Sequence, residues 1–392
     1  MKKSVKVIIW IAALIALIAA VTAAVNFGMY KANLSRISEY SPVINEEAIK
    51  PEPDDKGVYT FVTDRELRII QLSDIHIGGG WMSFNKDRKA INTVAAMITA
   101  EKPDLVVLTG DQVYPVPFQA GTFNNKISTK LIIALMEQLQ VPWTACLGNH
   151  DSEIYSYFTR EKIGNMYSDE SLEFCLFSNG PEDVDGVGNH YFNVKNSEGK
   201  ITQQLIFMDS HSYTDEDPLG IFWKYDNIHQ NQVDWYENVI REGKENNPST
   251  KSLVFLHIPL VEYRDAYTAI REETGEAESV SGVIGEKEPY VYCGIGEDNL
   301  FEKALELGST QAFFCGHDHD NNMVMKYKNI SLVYSYSVDY LAYSGISKRG
   351  YQRGCTMITA NPDGTCDINH ENYYQDKYQP IYEKEAVRMT AE

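Results

Sequence analysis

Five apolar runs in this chain each stop at a short polar cluster built almost entirely from Asp, Asn and His. Residues 67–72 lead through Ser73 into Asp74-Ile75-His76, and residues 104–108 lead through Thr109 into Gly110-Asp111. Residues 142–147 lead into Gly148-Asn149-His150-Asp151, residues 253–256 into His257, and residues 311–315 into Gly316-His317-Asp318-His319. Short apolar runs bounded by turn residues fit strands covered on both faces. Ala90, Val94, Ala95 and Ile98 keep helical spacing between two of them, as do Ile132, Leu135, Met136 and Leu139. Helices are also expected over residues 231–244 and 299–307, a further strand over 204–208, and shorter β runs over 322–370 with a turn at Asn361-Pro362-Asp363-Gly364. Strands alternating with helices make an α/β fold with parallel pairs. Ligands of such sheets sit beyond the carboxyl ends of the strands, so the five clusters build one pocket.

The residue types in that pocket suit a pair of divalent metals. Imidazole and carboxylate bind Zn, Mn or Fe, and the Asn149 oxygen is compatible with a hard ion. Two ions about 3.5–4 Å apart need a shared ligand, and the two oxygens of Asp111 can bridge. Gly110, Gly148 and Gly316 permit the sharp turns beside the ligands. An isolated Asp-x-His is common, and a lone strand-end His such as His257 is more often a hydrogen-bonded core residue. All five clusters in this order are a far more specific signal. No G-x-S-x-G elbow and no phosphate-binding P-loop occurs, so neither a serine nucleophile nor NTP-driven work is indicated.

The set resembles the calcineurin-like metallophosphoesterases, whose signature is D-x-H, G-D, G-N-H-[DE], a separate His and G-H-x-H, over roughly residues 58–340. The resemblance implies a four-layer α/β/β/α sandwich with two divalent or mixed-valence metal ions that activate a bridging water. It assigns Asp74, His76, Asp111 and His319 to one ion, and Asp111, Asn149, His257 and His317 to the other. His150 would sit beside the scissile phosphate, with Asp151 as its orienting partner. Thr109-Gly110-Asp111-Gln112-Val113-Tyr114, Phe207-Met208-Asp209-Ser210-His211 and Val254-Phe255-Leu256-His257-Ile258-Pro259-Leu260 are closer to the purple-acid-phosphatase-like, Dcr2-type branch. Tyr114 matches a position that binds ferric iron in true purple acid phosphatases. Those have Gly where this chain has His76, so Tyr114 is equally readable as a packed aromatic. His211 either faces the pocket or caps a strand end. His190, without an apolar run before it, reads as structural, and His229 and His370 carry no expected role. The resemblance implies a phosphatase acting on a small phosphorylated substrate or a phosphoprotein. The alternatives are a phosphodiesterase or nucleotidase with the same metals and a non-catalytic metal-binding surface protein.

Lys2, Lys3 and Lys6 precede an uncharged run over residues 7–30. That is long enough to span a bilayer as a helix, with a cleavable signal peptide as the rival. The expected organisation is an anchor or signal over residues 1–30 and a polar tether over 31–57. The metallophosphoesterase domain then covers 58–372, and a tail rich in tyrosine, including Tyr373, Tyr374, Tyr378 and Tyr382, covers 373–392. The domain is expected outside the cytoplasm. Residues 262–298, with Glu272, Glu273, Glu276, Glu278, Glu286 and Glu288, read as a solvated acidic loop or a substrate-side lid. The net charge of −20 repels phosphate backbones and excludes bulk nucleic-acid binding. Six scattered cysteines contain no C-x-x-C pair and define no disulfide framework.

Overall fold

Runs that are apolar on both faces need cover on both faces, and the chain provides it with two stacked sheets and helices outside each. The computed structural model describes residues 3–285, 290–343, 346 and 353–379; Lys2, Glu286, Glu288 and Tyr382 lie outside them. The helices are α1 (Lys3–Ile37), α2 (Phe84–Glu101), α3 (Pro117–Ala120), α4 (Asn125–Leu139), α5 (Arg160–Tyr167), α6 (Gln230–Asn246), α7 (Val261–Arg271) and α8 (Leu300–Leu307). The strands are β1 (Glu52–Pro53), β2 (Tyr59–Val62), β3 (Leu67–Leu72), β4 (Leu105–Thr109), β5 (Trp143–Cys146), β6 (His190–Lys195) and β7 (Ile201–Phe207). They continue as β8 (Lys251–Phe255), β9 (Ala277–Ser281), β10 (Thr310–Cys315), β11 (Val324–Tyr327), β12 (Ile330–Tyr334), β13 (Gly354–Ala360) and β14 (Cys366–Asn372).

One sheet has five strands in the order β14-β13-β3-β4-β5, and the other has nine in the order β1-β2-β6-β7-β8-β10-β12-β11-β9. In the first, β3, β4 and β5 run parallel, with Leu72 opposite Leu108 and Thr109 opposite Cys146. In the second, β7, β8, β10 and β12 run parallel, with Phe255 opposite Phe314 and Cys315 opposite Tyr334. These registers bring both sets of carboxyl ends to a common edge. Between the sheets Leu67, Ile69, Leu105 and Val107 meet Phe207, Phe255, Phe314 and Val333. Outside the five-stranded sheet, α2 and α4 bury Ile91, Val94, Ile98, Leu131, Leu135 and Leu139. Outside the nine-stranded sheet, α6, α7 and α8 bury Val233, Tyr236, Ile240, Tyr263, Leu300 and Phe301. This is the four-layer sandwich. The turn at Asn361 joins β13 to β14, with Gly364 at a φ of +87° and Asn361 N–H donating to Thr365 O at 2.9 Å.

Four segments differ from the sequence expectation. Helix α1 does not stop at Tyr30, because Asn33 and Ile37 are buried and Tyr30 and Leu34 pack on the core. The polar stretch after it is pinned along the domain instead of hanging free: Val43 N–H donates to Leu139 O at 2.9 Å and Ile49 N–H to Asp104 Oδ1 at 3.2 Å. The acidic region contains α7 and the edge strand β9. Tyr263 and Ala266 fill the buried side of α7, and the Tyr263 hydroxyl donates to Phe313 O at 2.8 Å. Glu272, Glu273, Glu276 and Glu278 follow α7 at exposed positions and give the region its loop-like composition. The tail begins inside the domain, since Tyr373 and Tyr378 are buried in the core. The six cysteines are free thiols.

Candidate active site

The carboxyl edges carry their polar clusters on backbone that ordinary residues avoid. Asp74, His76, Asp111 and His317 have φ of 52°, 54°, 53° and 74°. Left-handed backbone of this kind collects at functional sites because the surrounding structure enforces it. Hydrogen bonds hold the turns together: Asp74 N–H donates to Gly110 O and His76 N–H to Asp111 O, both at 3.1 Å. Gly110 itself lies at φ +90°, and a side-chain carbon there would collide with the His257 ring. A carbon on Gly316 would strike Ser73 and reach 2.7 Å from Asp74 Oδ2. The glycines therefore let the clusters close on one another.

The structure gathers the expected metal residues into two groups that share Asp111. Asp74, His76, Asp111 and His319 each offer a ligating atom within 4.8 Å of the others, and so do Asp111, His257 and His317. Asp111 Oδ2 lies 3.2 Å from His76 Nε2 and 3.4 Å from His257 Nε2. Asn149 Oδ1 lies 3.3 Å from His257 Nε2, which places it with the second group. His257 Nδ1 donates to the carbonyl of Thr109 at 2.8 Å, so its Nε2 presents a lone pair to the cluster. His317 Nδ1 faces that Nε2 at 3.3 Å. Two facing ring nitrogens with buried carboxylates around them are a donor set made for cations. Without a metal, protons serve instead: burial would lower His76, but Asp339 and Asp111 outweigh it and raise the imidazole to about 9. Burial would likewise raise Asp111, yet His257 and His150 hold it well below the carboxylate range. The residues fit two divalent ions.

His150 is the most open of these side chains, 22% exposed, with Nε2 4.0 Å from Asp111 Oδ2. Its partner is Glu153, whose Oε1 lies 2.6 Å from Nδ1. Asp151, expected in that role, points elsewhere. Its carboxylate accepts the N–H groups of Asp111, Gly148 and Val113 at 3.0, 2.7 and 3.0 Å. A carboxylate buried under three backbone donors is committed to tying two loops together and has no oxygen turned to His150.

Other contributors escaped the sequence reading. Asp339 places Oδ1 3.2 Å from His76 Nδ1 and Oδ2 3.3 Å from His319 Nδ1, turning both rings so that Nε2 faces the centre. It follows β12, so the strand-end rule extended to one more strand would have reached it. Asn149 Nδ2 donates to Tyr213 OH at 2.9 Å, which turns the amide oxygen inward. Arg160 pairs with Asp209 and donates to Gly148 O at 2.7 Å, bracing the loop that carries Asn149 and His150. Tyr114 packs its ring 4.9 Å from His76 and 4.7 Å from His150, as an aromatic wall. His211 turns to Gln232 at 2.7 Å and stacks on His229 at 4.1 Å. His190 bonds Thr144 and Gly188, both at 2.7 Å, inside the core. A cavity of about 330 Å³ opens over the centre, lined by Asp111, His150, Glu153, His317 and His319 together with Tyr114, Tyr155, Trp223 and Tyr292.

The fold resembles that of a dimetal phosphatase from Danio rerio, with a TM-score of 0.54 and 10% identity over 80% of this chain and 98% of that one. Among curated relatives, probable inactive purple acid phosphatase 14 of Arabidopsis thaliana is 30% identical, covering 78% of each chain. Phosphatase DCR2 of Saccharomyces cerevisiae is 27% identical over 67% of this chain and 45% of the yeast protein. Residues 67–321 match the family model for the calcineurin-like phosphoesterases, a span that begins with β3 and closes just beyond His319. With the sandwich, the shared carboxylate and that match together, the chain belongs to the calcineurin-like phosphoesterase family.

Proposed function

We propose that this chain is a metal-dependent phosphomonoesterase held at a membrane by α1, with its catalytic domain outside the cytoplasm. The observation that carries the reading is Asp111, which lies between two Asp/His groups beneath a cavity that His150 faces. Two divalent ions in those groups would draw charge from the phosphoryl oxygens and acidify the attacking water. Asp74, His76, Asp111, Asn149, His257, His317 and His319 are the residues that would hold them. Asp339, Thr109 and Tyr213 fix the orientations of four of these side chains. His150, anchored through Nδ1 on Glu153, turns Nε2 to the cavity and hands a proton to the departing ester oxygen. Water supplies the new P–O bond as the bond to the leaving group breaks. Helix α1 runs unbroken from the apolar stretch to Asn33 and Ile37, which are buried in the domain, so an uncleaved α1 would hold the domain at the bilayer.

A non-catalytic reading draws on the plant relative, which is named a probable inactive phosphatase. The assembled ligand groups and the Glu153–His150 pair favour catalysis. The test is metal content of the full chain in detergent, with hydrolysis of p-nitrophenyl phosphate and bis-p-nitrophenyl phosphate. About two metals per chain and faster monoester turnover support the proposal. Faster diester turnover replaces it with a phosphodiesterase or nucleotidase, and full metal with no turnover favours the binding protein.

A further inference from the structure

We propose that the mouth of the cavity rests on the bilayer that α1 spans, through an apolar collar at the foot of that helix, and admits phosphate esters carried on lipid headgroups. The inference rests on the anchored-phosphatase reading above. Residues 7–25 of α1 rise about 28 Å at about 1.5 Å per residue, close to the roughly 30 Å hydrocarbon layer. The domain begins where that run ends. Asn26 Nδ2 donates to Gly121 O at 3.2 Å, and Trp81 N–H donates to Asn26 Oδ1 at 2.8 Å. Two loops are thereby fastened to the helix at the level of the membrane surface.

Those loops expose Trp81, Met82, Phe118 and Phe123, with Phe118 90% exposed. Single exposed apolar residues are ordinary; four on two loops fastened to the base of an apolar helix are the kind that enter a headgroup layer. Charge agrees. In a chain of net charge −20, residues 78–86 and 112–136 contain no Asp or Glu and hold Lys86, Lys126 and Lys130. An anionic membrane meets no carboxylate from these segments.

The collar adjoins the cavity along the chain, although its four residues do not themselves line it. Tyr114 and Val116 line it just before α3, which carries Phe118. Glu153 and Tyr155 line it from the next loop, and Tyr157 N–H donates to Phe123 O at 3.1 Å. A phosphate at the headgroup plane therefore lies beside the rim of the mouth.

The experiment uses the full chain in lipid nanodiscs. An environment-sensitive fluorophore is placed at Phe118→Cys, and a control at Asp363→Cys in the turn at the opposite end of β13, with unsubstituted protein as the labelling blank. Nitroxide-bearing lipid should quench the first label several-fold more than the second; equal quenching overturns the collar. In the same discs, Phe118→Ser should lower hydrolysis of phosphatidic acid about tenfold, the worth of one buried phenylalanine face, with p-nitrophenyl phosphate turnover unchanged. Phosphatidic acid left intact while p-nitrophenyl phosphate is cleaved overturns the lipid-borne substrate. Loss of p-nitrophenyl phosphate turnover in the unsubstituted chain defeats the phosphatase reading instead, and the quenching result stands apart from it.

Discussion

Glu153 holds His150: its Oε1 lies 2.6 Å from the imidazole Nδ1, across one turn of the same loop. The pairing fixes which ring nitrogen faces the cavity. His150→Ala should lower kcat by about 10²-fold, as expected for loss of a general acid, with metal content unchanged. Glu153→Ala should lower kcat about tenfold, and the double variant should resemble His150→Ala alone, because the carboxylate acts through the imidazole. Fully additive losses would show that Glu153 acts on substrate directly.

Asp151 carries a different load. In Asp151→Asn the buried amide must turn its NH₂ toward one of three backbone N–H donors, at a cost of roughly 2 kcal/mol. The thermal midpoint should fall, while kcat of the folded fraction falls less than in Glu153→Ala. A larger kcat loss than in Glu153→Ala would make Asp151 the orienting residue after all.

Asp339 touches no substrate, yet it aligns two imidazoles. Asp339→Asn should weaken metal affinity by about 10- to 100-fold, the usual range for a carboxylate behind a ligating histidine. Competition with a chromogenic chelator measures this. Affinity equal to wild type would show that the rings hold their orientation without it.

The Arg160–Asp209 pair braces the loop under Asn149 and gives the fold an acid dependence. Burial alone would raise Asp209, but Arg160 outweighs it and holds the carboxyl at about 2. The unfolded value is about 3.9. A native pKa below the unfolded one adds stability that is full above the unfolded value and is lost as pH falls through the native one. Asp209→Asn should therefore be less stable than wild type by about 2–3 kcal/mol near pH 6. The gap should close as pH falls from about 4 toward 2. A gap that stays constant over that window in urea titrations would show that the ionised carboxylate is not its source.

Much of this architecture was readable from residue order. The runs ending at Leu72, Leu108 and Leu147 become or adjoin strands, because an apolar stretch covered on both faces has few alternatives in a chain this size. Their polar ends meet in space, as the parallel registers require. What escaped was set by short-range geometry. Glu153 and Asp151 are two residues apart, and only the path of the turn decides which carboxylate meets the imidazole and which meets three amides. Asp339 follows β12 through Ser335-Tyr336-Ser337-Val338, with no Gly, Asn or His beside it to mark a sixth cluster. Helix α7 hides because Arg264 and Asp265 on its exposed side, and the buried Glu262, interrupt the apolar positions Tyr263, Ala266 and Ala269.

The left-handed backbone at Asp74, His76, Asp111 and His317 has a thermodynamic consequence for the chain as a whole. A glycine at any of these four positions relieves about 1 kcal/mol of backbone cost, where an alanine relieves none. Together they set a few kcal/mol against a total folding stability that for most domains is only about 5–15 kcal/mol. The pairs that these same side chains make, His76 with Asp111 and Asp339 and Asp74 with His319, offset part of that cost. The left-handed turns are thus a cost the fold carries for placing its donor atoms, and any cation bound there would stabilise the folded chain further.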